Sequence, residues 1–268
     1  MVSVIIAMYN SEDTIKYALD SVFSQTYKGN IEIIIINDGS TDNSLEVVKN
    51  YELNNRKENI SFKIINKENG GVSSARNEGF KVATGKYIAI LDSDDEWVSN
   101  KLERQVKIME ENEFIDLLGG EADNKPTRIL FKKINTLSKI KLKNLLIKWH
   151  PSTPTVIFKK DILKDVGMYD TNFKYAEDGN FILRVCMEKN AYHLPETMVM
   201  TGLGKPSFGH TSGLSGNLKG MYLGELANFK MLLDKGKISK MVYILTRGFC
   251  TLKYYRRVII VKLRKLRS

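Results

Sequence analysis

The sequence predicts an α/β domain on a mostly parallel, Rossmann-like sheet flanked by helices, followed by a helical, basic C-terminal appendage. Three observations predict it. Strand-like and helix-like stretches alternate through the first hundred residues at the spacing of strand-helix-strand units. The strands are rich in β-branched residues, as strands covered on both faces are. Polar clusters follow the strands or open the helices, which is where ligands of such sheets bind.

In order, Val2 to Met8 reads as a strand, with Asn10 and Ser11 as turn and cap. A helix is expected from Glu12 to Phe23, because Ile15, Ala18, Leu19 and Val22 recur at helical spacing. Ile31 to Ile36 is a strand, Asn37-Asp38-Gly39-Ser40 its turn, and Asp42 to Leu53 the next helix. Phe62 to Ile65, Val72 to Ala83 and Tyr87 to Leu91 continue as strand, helix and strand, and Asp92 ends the last of them. Beyond about Asp116 the pattern weakens. Lys132 to Trp149 is expected as a lysine-rich amphipathic stretch, Thr155 to Phe158 as a short strand, and Glu177 to Glu188 as a helix. Gly202 to Gly220 has the glycine and Ser/Thr content of a mobile loop, and helical spacing resumes from Ile238. One domain over residues 1–215, with halves meeting near residue 115, and a helical segment over 216–268 are expected.

Composition narrows the function. Cys186 and Cys250 lie far apart and form no CxxC pair, which argues against a disulfide framework or zinc knuckle and for a reducing compartment. Met1 leads directly into an apolar run with no basic region before it, so a buried strand is expected rather than a signal peptide. No apolar stretch reaches the roughly 18 residues of a spanning helix, so a soluble or peripheral protein is expected. The net charge of +10 sits in one place. After residue 235 there are ten basic residues, from Lys237 to Arg267, and no acidic one, which leaves the rest of the chain balanced.

Four clusters carry chemistry. Asp92-Ser93-Asp94-Asp95 sets three carboxylates at a strand end, where they repel one another unless a cation sits among them. Mg²⁺ and Mn²⁺ take carboxylate and phosphate oxygens together; an acidic turn capping the next helix is the plainer alternative. Asp38 can accept a hydrogen bond from an imide N–H, which uracil has and adenine lacks, or can simply cap a turn. Gly70 to Asn77 opens a helix with small residues, turning backbone N–H groups toward a phosphate, with Arg76 adding a guanidinium; a plain loop-to-helix junction reads the same way. Glu177-Asp178 begins a helix, where a carboxylate can serve as a general base or merely complement the helix dipole.

Five ordered motifs, Val2 to Asn10, Asn37 to Asp42, Gly70 to Asn77, Asp92 to Asp95 and Glu177-Asp178, resemble the family 2 glycosyltransferases over about residues 1 to 215. These are inverting enzymes of the glycosyltransferase-A fold. The resemblance implies a nucleotide-sugar half to about residue 115 and an acceptor half from about 116 to 215. It implies that Asp38 contacts the base, Asp92 the ribose and Asp94 the metal, either Mn²⁺ or Mg²⁺. Tyr9, Asn10, Gly71, Ser74, Arg76 and Ser93 would also hold the donor. Asp178 would be the catalytic base, with Glu177 as runner-up. His210 resembles the late His/Ser loop that closes over the diphosphate or metal. Two positions depart from the pattern: Ala7 stands where the family often has Pro, and Asn37 where it usually has Asp. Neither removes a group the mechanism requires.

The implied activity is transfer of a single hexosyl or N-acetylhexosaminyl group from a UDP-sugar to a glycan or lipid-linked acceptor in polysaccharide or glycolipid biosynthesis. Single addition is expected because the Gln-x-x-Arg-Trp motif of processive synthases is absent. The basic tail is expected to meet anionic headgroups at the cytoplasmic face of the cell membrane, with a solvated helix face as the alternative. A dehydrogenase or P-loop kinase is excluded by the lack of GxGxxG and GxxxxGK[ST]. No nucleic-acid partner is expected; a nucleic-acid-binding protein led by the tail, or an inactive sugar-nucleotide-binding relative, are the rival readings.

Overall fold

The computed structural model describes residues 1–202 and 214–265. In chain order the first half runs β1 (Val2–Met8), α1 (Ile15–Phe23), β2 (Ile31–Asp38), α2 (Ser44–Asn54), β3 (Ile60–Lys67), α3 (Val72–Val82), β4 (Tyr87–Asp92), β5 (Glu96–Trp97), α4 (Lys101–Glu111) and β6 (Leu117–Ala122). A small ribbon of β7 (Arg128–Ile129) and β8 (Lys132–Lys133) follows, then β9 (Ser138–Lys139), α5 (Leu142–Leu145), β10 (Ile157–Lys159), α6 (Leu163–Val166), α7 (Glu177–Glu188), β11 (Ala191–Met200), α8 (Leu218–Asp234) and α9 (Lys240–Lys265).

The main sheet has the order β3-β2-β1-β4-β10-β6-β11-β5, with β9 paired to β11. β3, β2, β1 and β4 are parallel, β10 is antiparallel to both of its neighbours, and β11 is parallel to β6. Side chains alternate between the two faces of a strand. Val2, Val4, Ile6 and Met8 therefore face α1, α2 and α4, where they meet Leu19, Val48 and Leu102. Ile5, Ile34 and Ile88 face the other way, toward Phe80 of α3, Phe181 of α7 and Phe229 of α8. Each such fully buried aliphatic contributes about 1.5–3 kcal/mol over its exposed state. Gly79 brings α3 hard against β1: a Cβ there would lie 2.6 Å from Ile5 Cγ2.

Several expectations are corrected. The first helix starts at Ile15, not Glu12, because Glu12 is tied to the next loop: Asn43 N–H donates to its carboxylate at 2.9 Å and its own N–H donates to Asp42 at 3.1 Å. The stretch from Lys132 to Trp149 is not one amphipathic element but β8, β9 and α5 in pieces. Thr155 belongs to a 3₁₀ turn, Thr153–Thr155, opened by Pro154, and the strand after it is Ile157–Lys159. The expected loop to Gly220 ends earlier, since the Asn217 side chain accepts from Gly220 N–H at 2.8 Å and starts α8 at Leu218. β11 was unforeseen. It contains Pro195, which has no N–H to donate, and its register with β6 shifts between His193 and Thr197.

Candidate active site

The strand order reverses at β1, which pairs with β2 on one side and β4 on the other. The carboxyl ends of β1 and β4 thus flank a crevice of the kind in which open α/β sheets bind ligands. Ser11, just past β1, and Ser93, just past β4, face each other across it with their hydroxyl oxygens 2.8 Å apart. Tyr9 beside them is 51% exposed, so its ring is open to a flat partner. Asn10 takes a positive φ of 49° and its side-chain oxygen accepts from Thr41 N–H at 2.8 Å. Its side-chain oxygen thus stitches the β1 and β2 loops together.

At the end of β2, Asp38 is buried. Its Oδ1 accepts from Lys67 Nζ at 2.6 Å and Gly70 N–H at 3.0 Å, and its Oδ2 accepts from Gly71 N–H at 2.8 Å. This revises the expectation for the glycine loop. Two of the backbone donors read as free for a phosphate are taken by a carboxylate of the chain itself, which occupies the positive end of α3. Gly71 has φ of 84°, a region that favours glycine, and turns both amides toward Asp38. Ser74 lies in the first turn of α3, partly exposed.

Arg76 is the centre of the arrangement and only 4% exposed. Its Nη2 donates to Asp92 Oδ1 at 2.7 Å, its Nη1 lies 3.5 Å from Glu177 Oε1, and its guanidinium sits 5.2 Å from the Tyr169 ring centroid. Burial works against its charge, and Asp92, Tyr169 and Glu177 outweigh that, so its pKa is raised. Its place in the helix-opening motif suggests a phosphate partner for Arg76; the structure instead turns it inward between two carboxylates that are far apart in sequence. Next to it, Asn77 exchanges two hydrogen bonds with the backbone of Tyr169, at 2.8 and 2.9 Å. These fix the loop before α7.

The acidic run divides by direction. Asp92 is partly exposed, Asp94 is exposed and Asp95 is buried. Asp95 accepts from Gly202 N–H at 2.6 Å. Burial, followed by the charge of Asp92, pushes the Asp95 carboxyl up to about 8. Nearby, Asp123 accepts from both the N–H and the hydroxyl of Thr201. The chain leaving β11 is therefore pinned to the acidic run immediately before residue 203. His210 lies outside the described residues.

Glu177 and Asp178 open α7 behind Ala176, a non-glycine residue with φ of 56°. Burial and the neighbouring Asp178 push Glu177 up to about 7, against the opposing pull of Arg76. Asp178 is also raised, by burial first and then by Asp92, while the Gly179 N–H opposes this by donating to it at 2.6 Å. The fold therefore gathers Asp38, Arg76, Asp92, Ser93, Asp94, Glu177 and Asp178 at one edge. Sequence reading missed the roles of Lys67, Asn77, Asp95 and Asp123. Asp95 was visible inside its acidic run, and Asn77 inside the helix-opening motif; nothing local marks Asp123.

A model of the family described as "Glycosyl transferase family 2" matches residues 3–167. An uncharacterized glycosyltransferase of Methanocaldococcus jannaschii is 32% identical over 213 residues, covering 75% of this chain and 69% of that protein. An Escherichia coli protein, UDP-Glc:alpha-D-GlcNAc-diphosphoundecaprenol beta-1,3-glucosyltransferase WfaP, is 46% identical over 110 residues, 41% of each chain. An uncharacterized glycosyltransferase of Rickettsia bellii matches over only 16% of its length, so the chain spans a minor part of some curated relatives. Among solved structures, S. aureus TarS 1-349 in complex with UDP-GlcNAc has a TM-score of 0.70 at 21% identity, covering 92% of this chain and 70% of that one. Mannosyltransferase PcManGT from Pyrobaculum calidifontis, in complex with GDP-Man and Mn²⁺, has a TM-score of 0.70 at 17% identity, covering 94% and 73%.

Proposed function

Because the chain belongs to glycosyl transferase family 2 and has the glycosyltransferase-A fold of its structural neighbours, we propose that it moves one sugar from a UDP-sugar to a hydroxyl of a glycan or lipid-linked acceptor, inverting the anomeric carbon. The observation that carries this reading is Arg76, which joins Asp92 on the donor-side strand to Glu177 beside the candidate base. The names of similar proteins support the substrate classes: one has a UDP-Glc donor and a diphosphoundecaprenol-linked acceptor, and another was solved with UDP-GlcNAc.

Asp38 reads the base. A carboxylate oxygen has two lone pairs, and Oδ2 accepts only from Gly71 among the described residues. The second lone pair suits an imide N–H. The acidic run also fits a hard divalent ion. Asp92 and Asp94 stand beside the buried Asp95, whose carboxyl is raised by burial first and then by the charge of Asp92, which a cation would relieve. Among the described residues no three His, Cys, Asp or Glu side chains form a ready metal-binding group. Asp94 would therefore hold Mn²⁺ or Mg²⁺ together with donor phosphate oxygens, a common arrangement for such ions, with Asp92 beside it at the ribose. Bound there, the ion supplies neutralising charge for the departing diphosphate.

Asp178 accepts the proton of the acceptor hydroxyl as that oxygen attacks the anomeric carbon from the face opposite the diphosphate. A raised carboxyl is a stronger base than an ordinary one. Glu177, the second candidate, is engaged with Arg76. The test is calorimetric titration with UDP, with and without Mn²⁺, on the parent and Asp94→Ala, beside a panel of other nucleoside diphosphates. Metal-dependent binding that prefers UDP and is lost in the variant supports the proposal. Preference for a different nucleotide overturns the UDP assignment, and no binding of any overturns the donor reading.

A further inference from the structure

Resting on the reading of a lipid-linked acceptor, we propose that the outward face of α9 is the surface by which this enzyme seats on an anionic lipid bilayer. α9 docks on α8 by one side only. Thr246 and Cys250 are buried there, and the buried Glu225 accepts from Cys250 Sγ and Arg257 at 3.0 Å, with Lys253 at 3.5 Å. On the opposite side, Met241, Leu245, Leu252, Ile259 and Leu263 recur at intervals of four and seven, which lines them up along one face of the helix. All five are more than half exposed, Leu252 at 71%. Single exposed apolar residues are ordinary on a protein surface, but a continuous row along a helix marks a contact face.

Charge selects the occupant. Arg256 and Lys262 are exposed and border the row on either side. No acidic residue follows Asp234, so α9 itself carries cations and no carboxylate. A second copy of the same helix would oppose like charges. An anionic headgroup layer meets both features, and a helix of this pattern lies in the interface plane with its apolar face buried. Neither helix of the α8-α9 hairpin could cross a bilayer: among the described residues no helix is long and apolar enough. The seat is also tied to the chemistry. Asn228 of α8 hydrogen-bonds Asn180 of α7 at 3.0 Å and the carbonyl of Ala176 at 2.9 Å. The membrane-facing hairpin thus holds the residue that precedes Glu177 and Asp178.

Flotation of the full-length protein on vesicles tests this, with phosphatidylcholine alone or with added phosphatidylglycerol. The expected result is binding to the anionic vesicles, weakening with salt, and little to phosphatidylcholine alone. Leu245→Glu/Leu252→Glu should lower partitioning about tenfold or more, and Arg256→Glu/Lys262→Glu should remove the preference for anionic lipid. Unfolding temperature and UDP binding should stay at parental values in both variants, since these side chains face outward. Equal vesicle binding by the parent and the leucine variant overturns the proposal. So does a parental dimer that the leucine variant splits without loss of vesicle binding, which would make the row an interface between copies. UDP binding in the same samples separates the two readings: a protein that binds UDP but not vesicles fails here alone, and one that binds vesicles but no nucleotide fails the donor reading.

Discussion

Arg76 and Asp92 form a 2.7 Å ion pair at the carboxyl edge of the sheet, with Arg76 almost wholly buried and Asp92 partly open to the crevice. The pair matters because it gives the buried guanidinium its main compensation, with Tyr169 and Glu177, the latter at 3.5 Å, adding to it. Breaking a buried pair by removing one partner costs about 3–5 kcal/mol. Asp92 keeps some solvent, so the low end of that range applies. Arg76→Gln should therefore lower unfolding stability by about 3 kcal/mol, read as a shifted urea midpoint at constant slope. Arg76→Lys should recover little, because a single ammonium cannot serve both carboxylates as the planar guanidinium does. A midpoint within error of the parent would show that the two carboxylates do not depend on Arg76.

Asp95 predicts a pH dependence. Its carboxyl is raised from 3.8 to about 8 in the folded protein. The folded state thus holds this proton more tightly than the unfolded chain. The stability it contributes is complete below about pH 4 and is lost as pH rises through about 8. Asp95→Asn removes that loss while keeping an oxygen for the Gly202 N–H. The metal-free variant should be more stable than the parent at pH 9 by about 1 kcal/mol or more, with no such gain at pH 4. A shallower slope of the same sign should persist, because Glu177 is also raised, to about 7. Thermal melts across pH check both.

The parallel half of the fold was legible because its signals are local. Ile31, Ile33, Ile34, Ile35 and Ile36 lie within one buried strand, and Ile15, Ala18, Leu19 and Val22 keep helical period on one buried face. β11 escaped because Pro195 breaks its pattern, and the start of α8 because a capping Asn217 sits within a glycine-rich stretch. The site was legible as residue types and less so as partnerships. Asp38, Asp92 and Glu177-Asp178 stand out at strand and helix ends, but only folding brings Arg76 to Glu177 or Asp123 to Thr201. The donors expected for a phosphate at Gly70 and Gly71 were misjudged for the same reason, since Asp38 is remote from them in sequence.

Asp178 is the residue on which turnover should depend most directly. Asp178→Asn removes the proton acceptor with little change of shape, so turnover should fall by about 10²–10⁴ while UDP affinity changes by less than about threefold. A base must be ionised to act. Since burial and Asp92 raise this carboxyl, parental turnover should decline with falling pH at values above the ordinary 3.8. Single-turnover rates across pH, beside nucleotide titrations, read both effects. A loss of UDP affinity as large as the loss of turnover would place the base elsewhere, and the same experiment on Glu177→Gln would then identify it.

Asn228 predicts how the hairpin supports that base. Ala176 sits at φ of 56°, where a Cβ is disfavoured by about 1–2 kcal/mol, directly before Glu177. Its carbonyl accepts from the buried Asn228 side chain at 2.9 Å, and Asn228 also accepts from Asn180 at 3.0 Å. Asn228→Ala leaves both groups without that partner, and an unsatisfied buried polar group costs about 1–3 kcal/mol. The variant should lose about 2–4 kcal/mol of stability, and its turnover should fall further than its UDP affinity, because the displaced element carries Asp178 and not Asp38. Ala176→Gly in the same background should return part of the stability, since glycine takes this conformation without the Cβ clash. Denaturation midpoints and steady-state kinetics on the two variants decide it: an unchanged midpoint in Asn228→Ala would mean that this hydrogen bond does not hold the strained residue.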